Sequence, residues 1–394
     1  MNVEIDITVG AGQSDVNVAF VSNVVYPFVK GGAEKRIHEI GKRLVGDGHE
    51  VTVYGRHFWD GPELIVQDGM TLQAVAPSAE LYEGERRSIT EAIDFSVRLL
   101  RPLRTALDQR DHDVVVASVF PYFPVLSSRL ASVGRDTPLV TTWHEVWRSY
   151  WKEYLGRLWP FGAGVEAVTG RTPQYPVAIS DVTASRLAEI GPKREEIEVV
   201  PNGIDVEQVR TAPIPNDGYD VLFAGRLIEH KNVDVLLSAF DKVATERDIR
   251  LGIIGDGPEA AALKEQAAAL DAADRIDFLG FLEDYEDVLG HMRTAEVFAS
   301  PSTREGFGIT FIEAMAADCK VIAADHPNSA ASSVVGEHGW LVPPTVGGVA
   351  EALTEALTTN GGRGDPVARA EQYDWDQVAV RAEEVYERAA TGQW

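Results

Sequence analysis

Val16-Asn17-Val18-Ala19-Phe20-Val21 is a strand-length apolar run, followed by a loop containing Gly31-Gly32 and a helical pattern from Glu34 to Val45. Gly46-Asp47-Gly48 stops that helix, and Glu50-Val51-Thr52-Val53-Tyr54 supplies a second strand. Strand, helix and strand at this spacing predict a βαβ unit, and with it a parallel sheet. Further short apolar strands are expected at Val114 to Ala117, Leu139 to Thr142, Pro176 to Ile179 and Glu198 to Val200. Residues 1–212 thus read as one open α/β domain.

At Ala212-Pro213-Ile214-Pro215-Asn216-Asp217-Gly218 the composition shifts to Pro, Asn and Gly, which suits a linker. A second α/β series, residues 213–372, has expected strands at Asp220 to Phe223, Arg250 to Ile254, Ile276 to Leu279, Val297 to Ala299 and Lys320 to Ala323. Residues 373–394 carry a terminal helix, Trp375 to Ala390, with Asp374 as its expected N-cap.

The 394 residues, 45% apolar and 25% charged, suffice for about two domains with their own cores. The longest apolar runs are strand-sized, short of the roughly 18 residues a membrane span needs. Glu4, Asp6 and Asp15 make the N-terminus unlike a secretory signal, and Cys319 is the only cysteine, in keeping with a cytoplasmic chain. A net charge of −25 disfavours nucleic acid as a partner. Nine of the 36 basic residues are Lys, and an acid-rich, Lys-poor surface suggests a salt-loving source.

The most informative stretch is Ser300-Pro301-Ser302-Thr303-Arg304-Glu305-Gly306-Phe307-Gly308-Ile309-Thr310-Phe311-Ile312-Glu313. A strand runs into a glycine-rich loop and then a helix, so backbone N–H groups near Gly306 to Gly308 can face an anion. Glu305 in the loop and Glu313 in the helix can accept hydrogen bonds from vicinal hydroxyls. The alternative is a surface loop before a helix with a solvated glutamate. A second stretch, Val221-Leu222-Phe223-Ala224-Gly225-Arg226-Leu227-Ile228-Glu229-His230-Lys231, leads a strand into Gly and two cations that suit a diphosphate, unless both are ordinary surface charges.

These stretches occur together with Val200-Pro201-Asn202-Gly203-Ile204-Asp205 and Ile254-Gly255-Asp256-Gly257-Pro258-Glu259. In this order they resemble the retaining GT-B glycosyltransferases of family four, across nearly the whole chain. The resemblance implies an α/β GT-B fold: two facing Rossmann-like domains with a cleft between them and a C-terminal helix returning to the first. It also implies that Arg226 and Lys231 bind the diphosphate, Glu313 the donor ribose and Glu305 the donor sugar, with Gly306, Phe307, Gly308 and Ile309 around sugar and phosphate. Phe281 and Leu282 fall where the family packs the nucleobase, and Gly31-Gly32 resembles its N-terminal phosphate loop. His144, in Thr142-Trp143-His144-Glu145, falls where the family sets a histidine beside donor sugar and acceptor.

No cofactor is expected beyond a UDP- or GDP-sugar as co-substrate, and no metal. Asp111-His112-Asp113 reads as a turn and Asp374-Trp375-Asp376 as a helix cap, so cations and a helix start would take the metal's place. Trp147, Arg148, Trp151 and Lys152, with Tyr154 and Leu158, form either a patch for an anionic or lipid-linked acceptor at the inner membrane face or a core stripe among ordinary charges. Alternative functions are a catalytically silent nucleotide-sugar-binding subunit and a GT-B epimerase or phosphorylase. A nicotinamide dehydrogenase is disfavoured because Gly31-Gly32 lacks the Gly-x-Gly-x-x-Gly spacing. Salt adaptation predicts that melting temperature and solubility rise from dilute buffer to molar KCl; full stability in dilute buffer with no gain would overturn it.

Overall fold

The computed structural model describes residues 15–83, 86–359 and 361–394. Contacts divide the chain into two compact units, one of Met1–Ala117, Phe123–Val140 and Glu383–Trp394, the other of Ser118–Tyr122 and Thr141–Ala382.

The first unit begins with β1 (Asn17–Val21), α1 (Gly32–Gly46), β2 (Glu50–His57), β3 (Leu64–Gln67) and β4 (Met70–Pro77). A short antiparallel pair, β5 (Tyr82–Glu83) and β6 (Arg86–Arg87), precedes α2 (Ile89–Gln109). β7 (Val114–Val119), α3 (Phe123–Ser132) and β8 (Leu139–Trp143) follow, β7 and β8 beginning in this unit and ending in the other. Val18 of β1 lies beside Val51 and Val114, so β1 is flanked by parallel β2 and β7, as the βαβ reading requires. The hairpin β3–β4 was not among the expected strands. It turns at Asp68-Gly69, both at positive φ (50° and 80°), and β3 is an edge strand whose short apolar run, Leu64-Ile65-Val66, is left partly exposed, with Leu64 and Val66 facing out.

Arg56, at 0% exposure, holds this unit's sheet to α2. It donates to Glu91 Oε1 at 2.6 Å, to the Glu91 carbonyl at 2.9 Å, to Asp94 at 2.9 Å and to the Pro77 carbonyl at 2.8 Å. A buried guanidinium is tolerable only when so fully partnered.

The second unit contains the end of β8, then α4 (Trp151–Leu155), α5 (Trp159–Arg171), β9 (Tyr175–Ala178), α6 (Asp181–Ala188), β10 (Glu198–Val199) and α7 (Val206–Thr211). Its sheet begins with β11 (Val221–Ala224), α8 (Val233–Ala244), β12 (Leu251–Ile254), α9 (Ala260–Ala268) and β13 (Ile276–Gly280). Then come α10 (Tyr285–Thr294), β14 (Val297–Ser300), α11 (Ile309–Ala316), β15 (Lys320–Ala324), α12 (Ala331–Val335) and β16 (Trp340–Val342). The chain ends with α13 (Val346–Thr358), α14 (Pro366–Glu371) and α15 (Trp375–Ala390).

The six parallel strands lie in the order β13-β12-β11-β14-β15-β16. Val221 and Phe223 join one buried cluster while Leu222 and Ala224 join the other, so helices cover both faces and the strands read as unbroken apolar runs. This is the doubly wound order, whose ligand crevice lies where the strand order reverses, between β11 and β14.

Asp374 accepts from the Asp376 N–H at 2.9 Å, the cap expected for α15. The later part of α15 belongs to the first unit, where the Tyr386 ring meets Phe20 edge-on and Glu383 lies 2.7 Å from His49 Nε2.

His112 lies 2.8 Å from the Tyr54 hydroxyl and 2.6 Å from Asn17 Oδ1. Burial, then Arg110, pushes its imidazole down from 6.5 to about 4. From 6.5 down to about 4 the unfolded chain takes up a proton that the folded chain refuses, so stability falls with pH by up to roughly 3 kcal/mol. Urea melts should show His112→Gln less stable at pH 7 but losing less on acidification; equal slopes would refute this.

Candidate active site

The loops that leave β11 and β14 meet at the crevice. Leaving β11, the chain bends at Gly225, whose N–H donates to the Ile254 carbonyl at 3.0 Å. The loop after β12 presses against it: a Cβ on Gly255, at φ 130°, would come within 1.9 Å of the Gly225 carbonyl oxygen. Only glycine allows that approach, which explains the Gly255-Asp256-Gly257 spacing. Leu227 N–H to Asp256 at 2.9 Å and Glu259 N–H to Leu227 at 3.1 Å complete the fastening. Arg226 is left exposed, and Lys231 ends a short 3₁₀ turn, Glu229–Lys231.

From β14 the chain passes Ser300 and enters the glutamate loop. Lys231 Nζ donates to Glu305 Oε1 at 2.5 Å, both side chains largely enclosed, at 17% and 12% exposure. The two loops are therefore joined through a charge pair. Gly308, at φ 83°, caps α11 in the left-handed conformation, and Phe307 is buried against Tyr373. Glu313, one turn into α11 and only 4% exposed, accepts from the Tyr285 hydroxyl at 2.5 Å.

Gly306 packs against the end of β8. A Cβ there would lie 3.2 Å from both the His144 carbonyl oxygen and Glu145 Cγ. The Ser180 hydroxyl donates to the Gly306 carbonyl at 2.7 Å. His144 Nε2 lies 3.1 Å from Ser118 Oγ. Arg304 stacks on Tyr150, 3.7 Å from the ring centroid, and reaches Glu145 at 3.4 Å. One cluster thus gathers His144, Glu305, Gly306 and Lys231. Phe281 follows β13 with 73% exposure, ahead of half-buried Leu282. Gly31 and Gly32 belong to the first unit, at the start of α1, where a Cβ on Gly31 would strike the Glu34 carboxylate.

The residues expected to meet an acceptor divide. Trp147 packs on Phe120 and Trp151, each 4.8 Å away between centroids, and on Tyr154 at 4.7 Å. Trp151 is buried, Arg148 is ion-paired to Glu189, and Lys152 lies over Trp159. The exposed apolar surface lies further along, at Leu158 (68%), Phe161 (53%) and Val168 (58%). Glu166, 1% exposed, underpins the loop by accepting from Tyr122, Trp147 N–H and Arg148 N–H at 2.7–2.9 Å. Sequence reasoning did not find Ser180, Glu166 or Tyr285. Arg304 and Glu145, by contrast, stand beside residues it had singled out.

Among the described residues no helix is long and apolar enough to cross a membrane, and no three His, Cys, Asp or Glu side chains are grouped to hold a metal.

Two enclosed glutamates, each fixed by a donor, thus border the crevice of a doubly wound α/β sheet, the usual ligand position of such sheets. Residues 30–208 match the family described as Glycosyltransferase Family 4, and residues 206–373 match Glycosyl transferases group 1. A phosphatidyl-myo-inositol mannosyltransferase of Mycolicibacterium smegmatis is 32% identical over 376 residues, 91% of this chain and 90% of its own. A GDP-mannose-dependent alpha-(1-6)-phosphatidylinositol monomannoside mannosyltransferase of Mycobacterium tuberculosis is 27% identical, over 90% of this chain and 94% of its own. The solved structure of sucrose-phosphate synthase from Thermosynechococcus elongatus superposes with a TM-score of 0.73 at 17% identity, covering 96% of this chain and all of that one, which supports the GT-B fold. The chain belongs to the group 1, family 4 glycosyltransferases.

Proposed function

We propose that this glycosyltransferase transfers a hexose, with retention, from a UDP- or GDP-sugar to a hydroxyl of a lipid-linked acceptor at the inner membrane face. The joining of Lys231 to Glu305 at the switch point carries the reading. In it, residues 1–212 bind the acceptor, 213–372 bind the nucleotide sugar and 373–394 return to the N-terminal part. Arg226 and Lys231 take the diphosphate, Gly31-Gly32 and Gly306 to Ile309 close around phosphate and sugar, Phe281-Leu282 pack the base, Glu313 takes the ribose, and His144 stands by the sugar. The acceptor is lipid-linked by analogy with the mycobacterial relatives, whose names specify phosphatidylinositol-type acceptors.

The bond from sugar C1 to the phosphate oxygen breaks, the acceptor oxygen bonds to C1 on the same face, and the acceptor proton passes to the departing phosphate oxygen. Negative charge grows on the diphosphate and positive charge on the sugar. Fixed cations and backbone N–H groups on the phosphate side lower that barrier without a metal ion. Each charge-assisted contact contributes about 1.5–3 kcal/mol, or one to two orders of magnitude in rate.

Transfer from a panel of UDP-, GDP- and ADP-sugars, assayed in high salt, should single out one donor, and Arg226→Ala should slow it by roughly 10- to 100-fold. Lys231→Ala should cost more, because it also leaves the Glu305 carboxylate uncompensated beside the diphosphate. Normal turnover in both folded variants would refute the assignment.

The membrane side of the proposal rests on Leu158, Phe161 and Val168, exposed along one segment that also carries exposed Arg157 and Arg171 in an otherwise acidic chain. That combination fits an interfacial helix on anionic lipid. The protein should float with phosphatidylglycerol-containing vesicles, and Leu158→Glu with Phe161→Glu should abolish flotation while donor binding persists. Equal flotation of the double variant, or none of the wild type, would refute this surface.

A further inference from the structure

Tyr285 is the first residue of α10, behind an Asp284 cap whose side chain accepts from the Glu286 N–H at 3.0 Å. That cap sets where the helix starts and so where the Tyr285 side chain leaves the backbone. Its hydroxyl reaches α11 and donates to Glu313 Oε1 at 2.5 Å. Tyr285 is 44% exposed and Glu313 only 4%. A partly exposed tyrosine is thus bonded to a nearly enclosed carboxylate, and it lies on the segment that follows Phe281-Leu282 and β13.

We infer that Tyr285 is the positioning residue for Glu313, and that it sets how strictly the site demands an intact ribose diol on the nucleotide. The inference rests on the reading of Glu313 as the ribose contact. A carboxylate has about four acceptor sites, and Tyr285 donates to one of its two oxygens, Oε1. What Tyr285 contributes is orientation: a long acidic side chain held in one rotamer has already lost the freedom that ligand binding would otherwise have to remove. Burial, and then the neighbouring Glu313, raise the phenol well above its ordinary range, so it stays protonated and remains a donor throughout the working pH range. Glu305 is held comparably by Lys231. The two differ in kind: a diphosphate would draw the Lys231 cation strongly, whereas the neutral phenol already makes a short bond to a carboxylate, a stronger acceptor than a ribose hydroxyl. The Tyr285–Glu313 bond is therefore expected to persist through binding.

Removing the hydroxyl has two opposed consequences. The carboxylate loses a donor and so has more capacity for ribose, but the partly exposed position of Tyr285 admits water that takes the phenol's place. Ribose must then displace that water and order the side chain, and the net effect is weaker, less selective binding.

The test is isothermal titration of GDP, UDP and their 2′-deoxy analogues into wild type, Tyr285→Phe, Tyr285→Gln and Glu313→Gln, alongside initial-rate kinetics. Wild type should bind the ribonucleotide of its donor more tightly than the deoxy form. Tyr285→Phe should weaken ribonucleotide binding about tenfold, affect the deoxy form much less, and shift the loss into KM more than kcat. Tyr285→Gln, which retains a donor, should recover part of the discrimination. If Glu313→Gln collapses discrimination while Tyr285→Phe keeps it in full, the positioning role is wrong. If Glu313→Gln itself leaves discrimination untouched, the ribose assignment fails and this inference falls with it.

Discussion

The parallel pairing of β11 with β14, with Val221 beside Val297 and Leu222 beside Phe298, is the constraint on which the site depends. It places side by side two strands that are distant in sequence and whose following segments leave the same edge of the sheet. The β11 loop carries Arg226 and Lys231, and the β14 loop carries Glu305. Because β12 lies on the other side of β11, the loop after β11 is hemmed in, and Gly255 is a glycine because its backbone must touch that of Gly225 there. The Lys231–Glu305 bond follows from this placement.

Around that constraint, the buried polar groups are arranged so that each holds a loop in one geometry. Glu166 gathers a phenol and two backbone N–H groups, and Ser180 caps α6 while also holding the Gly306 carbonyl. Arg304 rests on Tyr150 beside Glu145. A buried carboxylate is costly unless its lone pairs are filled, so these residues specify conformation more than they add stability. Arg148, at φ 47°, is held in a strained left-handed conformation, and the Glu166 bond to its N–H is one of the restraints that keep it there.

Much of this was legible beforehand, for identifiable reasons. The strands of the six-stranded sheet are covered on both faces, so they appear as plain apolar runs, and the expected positions from Asp220 to Ala323 agree with β11 to β15 within a residue at each end. β3 and β4 were missed although Asp68-Gly69 is a strong two-residue turn signal, because β3 forms an exposed edge. The paired glutamates stood out because glycines around Phe307 signal close backbone approach. Tyr285, Ser180 and Glu166 left no such mark. Each acts across a distance in sequence, Tyr285 over 28 residues and Ser180 over 126, and no periodicity encodes which helix start will face which carboxylate. Trp147, Trp151 and Tyr154 do pack together, but not as one helical stripe: Trp147 precedes a 3₁₀ turn that begins at Arg148 with positive φ, and only Trp151 and Tyr154 lie in the short α4. The direction the cluster faces could not be read from the spacing, since an inward aromatic cluster and an outward amphipathic face have the same period.

Charge is the remaining problem the molecule must solve. A chain of net charge −25 repels a nucleotide sugar from most directions, so affinity has to come from a small region where the acids are already engaged. The site has that character. Glu305 is matched by Lys231, and Glu145 faces Arg304 and the Trp147 indole, while Arg226 remains exposed. Salt would screen the general repulsion across a Debye length yet weaken enclosed contacts much less, so an acidic surface and an anion-binding crevice can coexist in one chain. The same reasoning explains why both glutamates are held by donors before any ligand arrives. In the proposed site, an enclosed carboxylate near an anionic ligand is tolerable only if its charge is balanced or its hydrogen bonds are already directed, and Lys231 at Glu305 and Tyr285 at Glu313 would supply these two remedies.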